Sequence, residues 1–141
     1  LKGVIPGGSS SPVMTADEID TEYNFDALSK AGTMMGSSAM MVFDEETDVV
    51  KLLHRITRFY NHESCGQCTP CREGTHWARL IVQDFLNGNG NERKMKRLQR
   101  VGGNMMGTTV CALGDAAAMP ITSFVKKFPL EFEKYYTQAA A

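Results

Sequence analysis

The chain has 141 residues, 43% of them hydrophobic and 22% charged, with 15 basic against 16 acidic side chains and a net charge of −1. That length supports one compact unit with a real hydrophobic core and no need of disulfides to hold it together. The balanced charge gives no electrostatic basis for nucleic-acid or membrane-surface binding. The longest uninterrupted apolar run, residues 39–43, falls far short of the ~20 residues a membrane span needs.

The opening Leu1-Lys2-Gly3-Val4-Ile5-Pro6 lacks both an initiator Met and the pattern of a secretory signal, and it begins in what reads as a strand. The chain is therefore expected to be a piece of something longer. After Val4-Ile5, the run Gly7-Gly8-Ser9-Ser10-Ser11-Pro12 is a turn signal. It has neither the Gly-Lys-Ser/Thr ending of a phosphate loop nor a dinucleotide fingerprint. Residues 24–31 read as a short helix stopped by Gly32, and residues 38–43 as a strand.

From residue 44 onward the pattern is helical. The acids of Asp44-Glu45-Glu46-Thr47-Asp48 suit a helix start, and Val49, Leu52, Leu53, Ile56, Phe59 and Tyr60 recur at helical spacing and predict one buried face. A second helix opens with Thr69 as its cap and Pro70 in its first turn, buries Trp77, Leu80, Ile81 and Phe85, and stops at Asn87-Gly88-Asn89-Gly90. A basic third helix over 92–101 buries Met95, Leu98 and Val101 and breaks at Gly102-Gly103. A fourth covers 111–128, with Asp115 as a cap and Pro120 forcing either an early turn or a kink. Residues 130–136 complete the pattern as an amphipathic turn. The paired methionines 34–35, 40–41 and 105–106 are expected to fill the core.

The four cysteines carry the chemistry. Cys65, Cys68 and Cys71 stand at every third position, and Cys111 lies far downstream. A cubane cluster wants a thiolate at each of four iron corners, and a tight loop can wrap three while a distant cysteine closes the fourth. Structural zinc usually takes two separated pairs of ligands, a secreted disulfide scaffold spreads its cysteines, and a thioredoxin-type pair leaves two thiols unexplained. The spacing favours iron–sulfur, with a zinc-stabilised interaction module as the alternative. His62 is a further possible ligand, whereas His54 and His76 read as surface or packing residues. Arg72, Arg55 and Arg58 either tune a cluster or cover solvated helix faces.

Two stretches, Glu63-Ser64-Cys65-Gly66-Gln67-Cys68-Thr69-Pro70-Cys71-Arg72-Glu73-Gly74-Thr75 and Cys111-Ala112-Leu113-Gly114-Asp115-Ala116-Ala117, resemble the NADH-binding flavoprotein subunit of respiratory complex I. They are equally similar in kind to the matching subunits of NAD-linked hydrogenases and formate dehydrogenases. Val4-Ile5-Pro6-Gly7-Gly8-Ser9-Ser10 and Gly32-Thr33-Met34-Met35-Gly36-Ser37 resemble that family's ubiquitin-like middle domain. The resemblance implies an α+β fold. Residues 1–43 would be the later half of a ubiquitin-like (β-grasp) domain, and residues 44–138 a four-helix bundle binding a [4Fe–4S] cluster through Cys65, Cys68, Cys71 and Cys111.

The function it implies is electron transfer in an NADH:quinone oxidoreductase, from reduced FMN to further iron–sulfur clusters. The implied partners are a small [2Fe–2S] thioredoxin-like subunit, a large iron–sulfur subunit and the flavin domain of the same polypeptide. The implied place is the cytoplasmic face of the bacterial inner membrane, or the matrix side in a eukaryote. The family's glycine-rich FMN and NADH motifs do not occur in these 141 residues. No flavin or nicotinamide contact and no catalytic residue is assigned.

Overall fold

The computed structural model describes residues 1–136; the last two residues of the expected 44–138 unit lie outside that range. Three short strands open the chain: β1 (Gly3–Ile5), β2 (Met14–Thr15) and β3 (Met41–Phe43). They form an antiparallel sheet of order β2-β1-β3, with Gly3 opposite both Thr15 and Phe43. A side chain at Gly3 would meet the Phe43 ring at 2.6 Å, so the absence of one lets that ring lie against the strand.

The strand expected over 38–43 is confined to 41–43 because the residues before it are committed to a turn. That turn docks directly on the Gly7-Gly8 turn. Ser37 N–H donates to Gly7 O at 3.1 Å, and Gly8 N–H to Ala39 O at 3.0 Å. The backbones approach so closely that a Cβ on Gly36 would stand 2.2 Å from Gly7 O. β2 and the 3-10 turn that follows it (Ala16–Glu18) are too short to give a periodic signal, and sequence reading misses both. Helix α1 (Phe25–Lys30) forms where expected, with the Asn24 side chain accepting from Ala27 N–H at 2.8 Å.

Five helices follow: α2 (Val49–Glu63), α3 (Thr69–Leu86), α4 (Glu92–Met105), α5 (Leu113–Lys127) and α6 (Pro129–Glu133). Asp48 caps α2, accepting from Val50 and Lys51 N–H, each at 3.0 Å. The buried face of α2 holds Val49, Val50, Leu53, Ile56, Thr57 and Tyr60, whereas Phe59, expected inside, is exposed. On α3 the expected stripe is displaced. The interior residues are Cys71, Gly74, Thr75, Ala78, Ile81, Val82 and Phe85, and Trp77 and Leu80 face outward. The first half of the inner face, Cys71 to Ala78, is built of small side chains that let neighbouring helices approach, and hydrophobicity alone points at the larger residues beside them.

Three helix boundaries also differ from expectation. Cys68, not Thr69, is the cap of α3, and Thr69 and Pro70 are its first helical residues. Helix α4 does not break at Gly102-Gly103 but runs on to Met105, because Gly102 is where α5 packs closest. A Cβ there would come within 2.8 Å of Thr122 Cγ2. Helix α5 starts at Leu113 and continues through Pro120, and Asp115 sits in its first turn, accepting from Gly107 N–H at 2.6 Å. The closing segment condenses into the single turn α6, with Phe132 edge-on to Phe85 at 5.4 Å. Of the paired methionines, Met105 is buried but Met40 and Met106 are exposed.

The architecture is α+β, with α2, α3, α4 and α5 packed on one another. One hydrophobic cluster joins the helices to Ile5, Val13 and Phe43 of the N-terminal segment. Polar ties reinforce that junction. Val13 N–H donates to the buried Ser123 hydroxyl at 3.1 Å, and Lys127 pairs with Glu18 at 2.6 Å.

Candidate metal centre

The cysteine triplet occupies the turn between α2 and α3. Cys65 is exposed in the loop, Cys68 is half-buried at the cap of α3, and Cys71 is buried in its first turn. The loop reverses at Gly66, whose φ of +82° is the left-handed region that glycine enters without penalty. Arg72 reaches back over the reversal and donates from Nη1 to Gly66 O at 2.6 Å, with its Nε on Glu73 at 3.1 Å. The guanidinium of Arg72 thus ties the loop to α3.

Cys111 is exposed in the turn just before α5. That turn is closed tightly: Thr109 Oγ1 donates to Cys111 O at 2.9 Å, and a Cβ on Gly114 would collide with Thr109 at 2.4 Å. The adjacent residue makes the connection between the two segments. Val110 N–H donates to Cys68 Sγ at 3.4 Å. A second polar contact joins Ser64 Oγ and Cys71 Sγ at 3.3 Å. Two of the four sulfurs therefore already have polar partners, one of them a backbone amide and the other a hydroxyl. Such contacts orient a sulfur ligand.

Among the described residues, no three His, Cys, Asp or Glu side chains close on a point that would hold a single ion. The histidines lie apart. His62 is exposed on the last turn of α2, in a groove with Arg58 and Arg79, and His76 is exposed on α3. His54 is held below the usual histidine range, first by burial and then by the positive charge of Arg58. Arg55 and Arg58 line that same groove and make no bond to the cysteine loop. The sequence pointed to the triplet and to Cys111 but not to Ser64 or Val110, because neither residue type announces a sulfur contact.

A loop of three thiols and a fourth on a segment whose amide reaches that loop make a thiol-rich site of the class that can hold a metal ion or an iron–sulfur cluster. Comparison with known proteins makes that specific. The NADH-ubiquinone oxidoreductase-F iron-sulfur binding region matches residues 51–135, well over half of the chain, and the chain belongs to that family.

Among curated relatives, an NADH-quinone oxidoreductase subunit of Streptomyces coelicolor is 44% identical over 137 residues, covering 97% of this chain and 30% of that protein. The mitochondrial NADH-ubiquinone oxidoreductase 51 kDa subunit of Neurospora crassa is 46% identical over 134 residues, covering 94% of this chain and 27% of its own length. The chain thus spans about 30% of the curated relatives it matches. Among solved structures, an NAD+-reducing [NiFe]-hydrogenase in the H2-reduced state superposes with a TM-score of 0.86 at 26% identity, covering 99% of this chain and 24% of that one.

Proposed function

We propose that this chain holds a [4Fe–4S] cluster on Cys65, Cys68, Cys71 and Cys111 and relays electrons within an NADH-oxidising module. The bond from Val110 N–H to Cys68 Sγ at 3.4 Å carries this reading, because it draws the Cys111 turn onto the loop of the other three thiols. When bound, the cluster supplies one-electron chemistry, accepting and releasing electrons singly.

The residues of the chain hold, orient and screen. Arg72 and Gly66 fix the loop, Cys71 would be the buried ligand, the Val110 amide donates to Cys68 Sγ, and the Ser64 hydroxyl lies 3.3 Å from Cys71 Sγ. Residues 1–43 then act as the later half of a ubiquitin-like unit, and 44–138 as a four-helix mount. The small antiparallel sheet with α1 and the mutual packing of α2–α5 support that division.

FMN, NADH and the flavin domain that holds them belong to the rest of the polypeptide. The partners are the [2Fe–2S] thioredoxin-like subunit and the large iron–sulfur subunit of a peripheral arm, on the cytoplasmic or matrix side of the membrane. Among the described residues no helix is long and apolar enough to cross a bilayer. A quinone-reducing host is favoured over a hydrogenase because identity is 44% to the former kind of relative and 26% to the latter.

Anaerobic purification is expected to give a brown protein with about four irons and four sulfides per chain, and Cys68→Ser or Cys111→Ser to lose most of both. A colourless product holding one zinc overturns the proposal. NADH-dependent quinone reduction without hydrogen uptake identifies the host.

A further inference from the structure

The near-zero net charge conceals a strong asymmetry. Residues 49–105 hold ten of the 15 Lys and Arg but only four of the 16 Asp and Glu. Much of that excess lies on either side of α3. Between α3 and α4 runs a groove of about 490 Å3 lined by Trp77, Leu80, Ile81 and Val101 together with Arg97, Arg100 and Asp84. Between α2 and α3 a second groove of about 470 Å3 brings together Arg55, Arg58 and Arg79 beside Phe59.

Three large apolar side chains are left half-exposed across this face: Phe59 at 51%, Trp77 at 52% and Leu80 at 43%. Among the described residues none of the five arginines makes an ion pair or donates a side-chain hydrogen bond. Asp84 of the first groove is engaged with Lys94 at 2.7 Å, and Glu92 with Lys96 at 2.6 Å. A buried acceptor in the second groove, Asn61 Oδ1, also lacks a partner among the described residues. A half-exposed tryptophan and leucine sharing a groove with two arginines that make no ion pair is the composition of an interface centre, where Trp and Arg are enriched.

We propose that the outward face of α3, with its two arginine-lined grooves, is the docking surface for an acidic segment of a neighbouring polypeptide in the complex. An aliphatic or aromatic side chain of that segment fills the seam over Leu80 and Ile81. Carboxylates on either side of it meet Arg97 and Arg100 across one groove and Arg55, Arg58 and Arg79 across the other. Guanidinium pairs planar carboxylates bidentately, which fixes orientation as well as contact. A polynucleotide is disfavoured by the apolar lining of the first groove and by the net charge of −1 over the whole chain. The proposal rests on the chain's membership in a multisubunit electron-transfer complex but not on which cysteines bind metal.

The test uses the complex purified from its source. A photo-crosslinking residue replacing Leu80 is expected to capture, within the complex, a peptide of a neighbouring subunit or domain that is rich in Asp and Glu. The double reversal Arg97→Glu, Arg100→Glu, with Arg97→Gln, Arg100→Gln as the gentler variant, is expected to weaken retention in the complex about tenfold or more. The deficit relative to the parent chain should be largest at low salt and shrink as salt is raised, because added ions screen both the attraction lost and the repulsion introduced, while iron and sulfide content stay at the level of the parent chain. Full retention of both variants at all salt concentrations overturns the proposal. So does a crosslink to solvent only, to a peptide without acidic residues, or to nucleic acid. Loss of iron in the unmodified chain bears on the cluster assignment alone and leaves the retention measurement readable.

Discussion

At the scale of single residues, Asp48 joins a local role to a distant one. It caps α2, and it also accepts a hydrogen bond from the Tyr135 hydroxyl near the end of the described chain. Burial works to raise the Asp48 carboxyl, but the Tyr135 hydroxyl and the amide and ammonium of Lys51 outweigh it and hold the group below the usual carboxylate range. Because the folded value is depressed, the stabilisation is present above the ordinary carboxylate range and is lost as pH falls through the folded value. Tyr135 is pushed up to about 12 by burial and by its bond to Asp48. Its contribution is whole below about pH 10 and is lost as pH rises toward the folded value.

Asp48→Ala is expected to cost about 1–2 kcal/mol at neutral pH and to flatten the acid limb of a denaturation-midpoint profile. Tyr135→Phe should flatten the alkaline limb, between about pH 10 and the folded value of about 12, and also part of the acid limb, since its hydroxyl helps to hold Asp48 down. An unchanged acid limb in Asp48→Ala contradicts this account. The cysteine spacing was visible in the sequence because ligand chemistry restricts residue type. The Asp48–Tyr135 pair was not, since nothing local in residues 44–48 specifies a partner so far along the chain.

At the scale of elements, the helices were legible in number and order, and their faces less so. Hydrophobic periodicity put Trp77, Leu80 and Phe59 inside. The structure instead buries Gly74, Thr75 and Ala78, whose small size is what close helix approach selects. The two adjacent glycines of α4 make the same point and separate cleanly. A Cβ on Gly103 meets nothing within 4 Å, whereas one on Gly102 presses on Thr122 and Ile121 of α5. Gly103→Ala is therefore expected to stabilise the protein by about 0.5–1 kcal/mol through helix propensity. Gly102→Ala should destabilise it by about 1–3 kcal/mol through overpacking. Urea midpoints of the two variants moving in the same direction would contradict the assigned α4–α5 contact.

At the scale of the whole molecule, the sheet and the helices share one core, and the boundary expected at residue 43 is crossed by packing and by hydrogen bonds. Val13 N–H to the Ser123 hydroxyl is the most deeply buried of these bonds. Ser123→Ala strands that donor away from water and is expected to cost about 1–3 kcal/mol. Hydrogen exchange should accelerate first in residues 1–43 of the variant, and equal acceleration across α2–α5 would mean that the tie is not what couples the segment to the helices. The α+β class was readable from the change of periodicity near residue 44. The continuity of the core was not, because side chains such as Ile5 and Val13 carry no mark of which later helix they meet.

The outward placement of Trp77 has a practical corollary. It is the sole tryptophan of the chain, and its indole is 52% exposed beside Arg97 and Arg100. Its fluorescence is therefore a built-in optical gauge of whether that surface is wet or covered. A blue shift of emission on assembly, absent in the charge-reversed variants, would report occupancy without any added label.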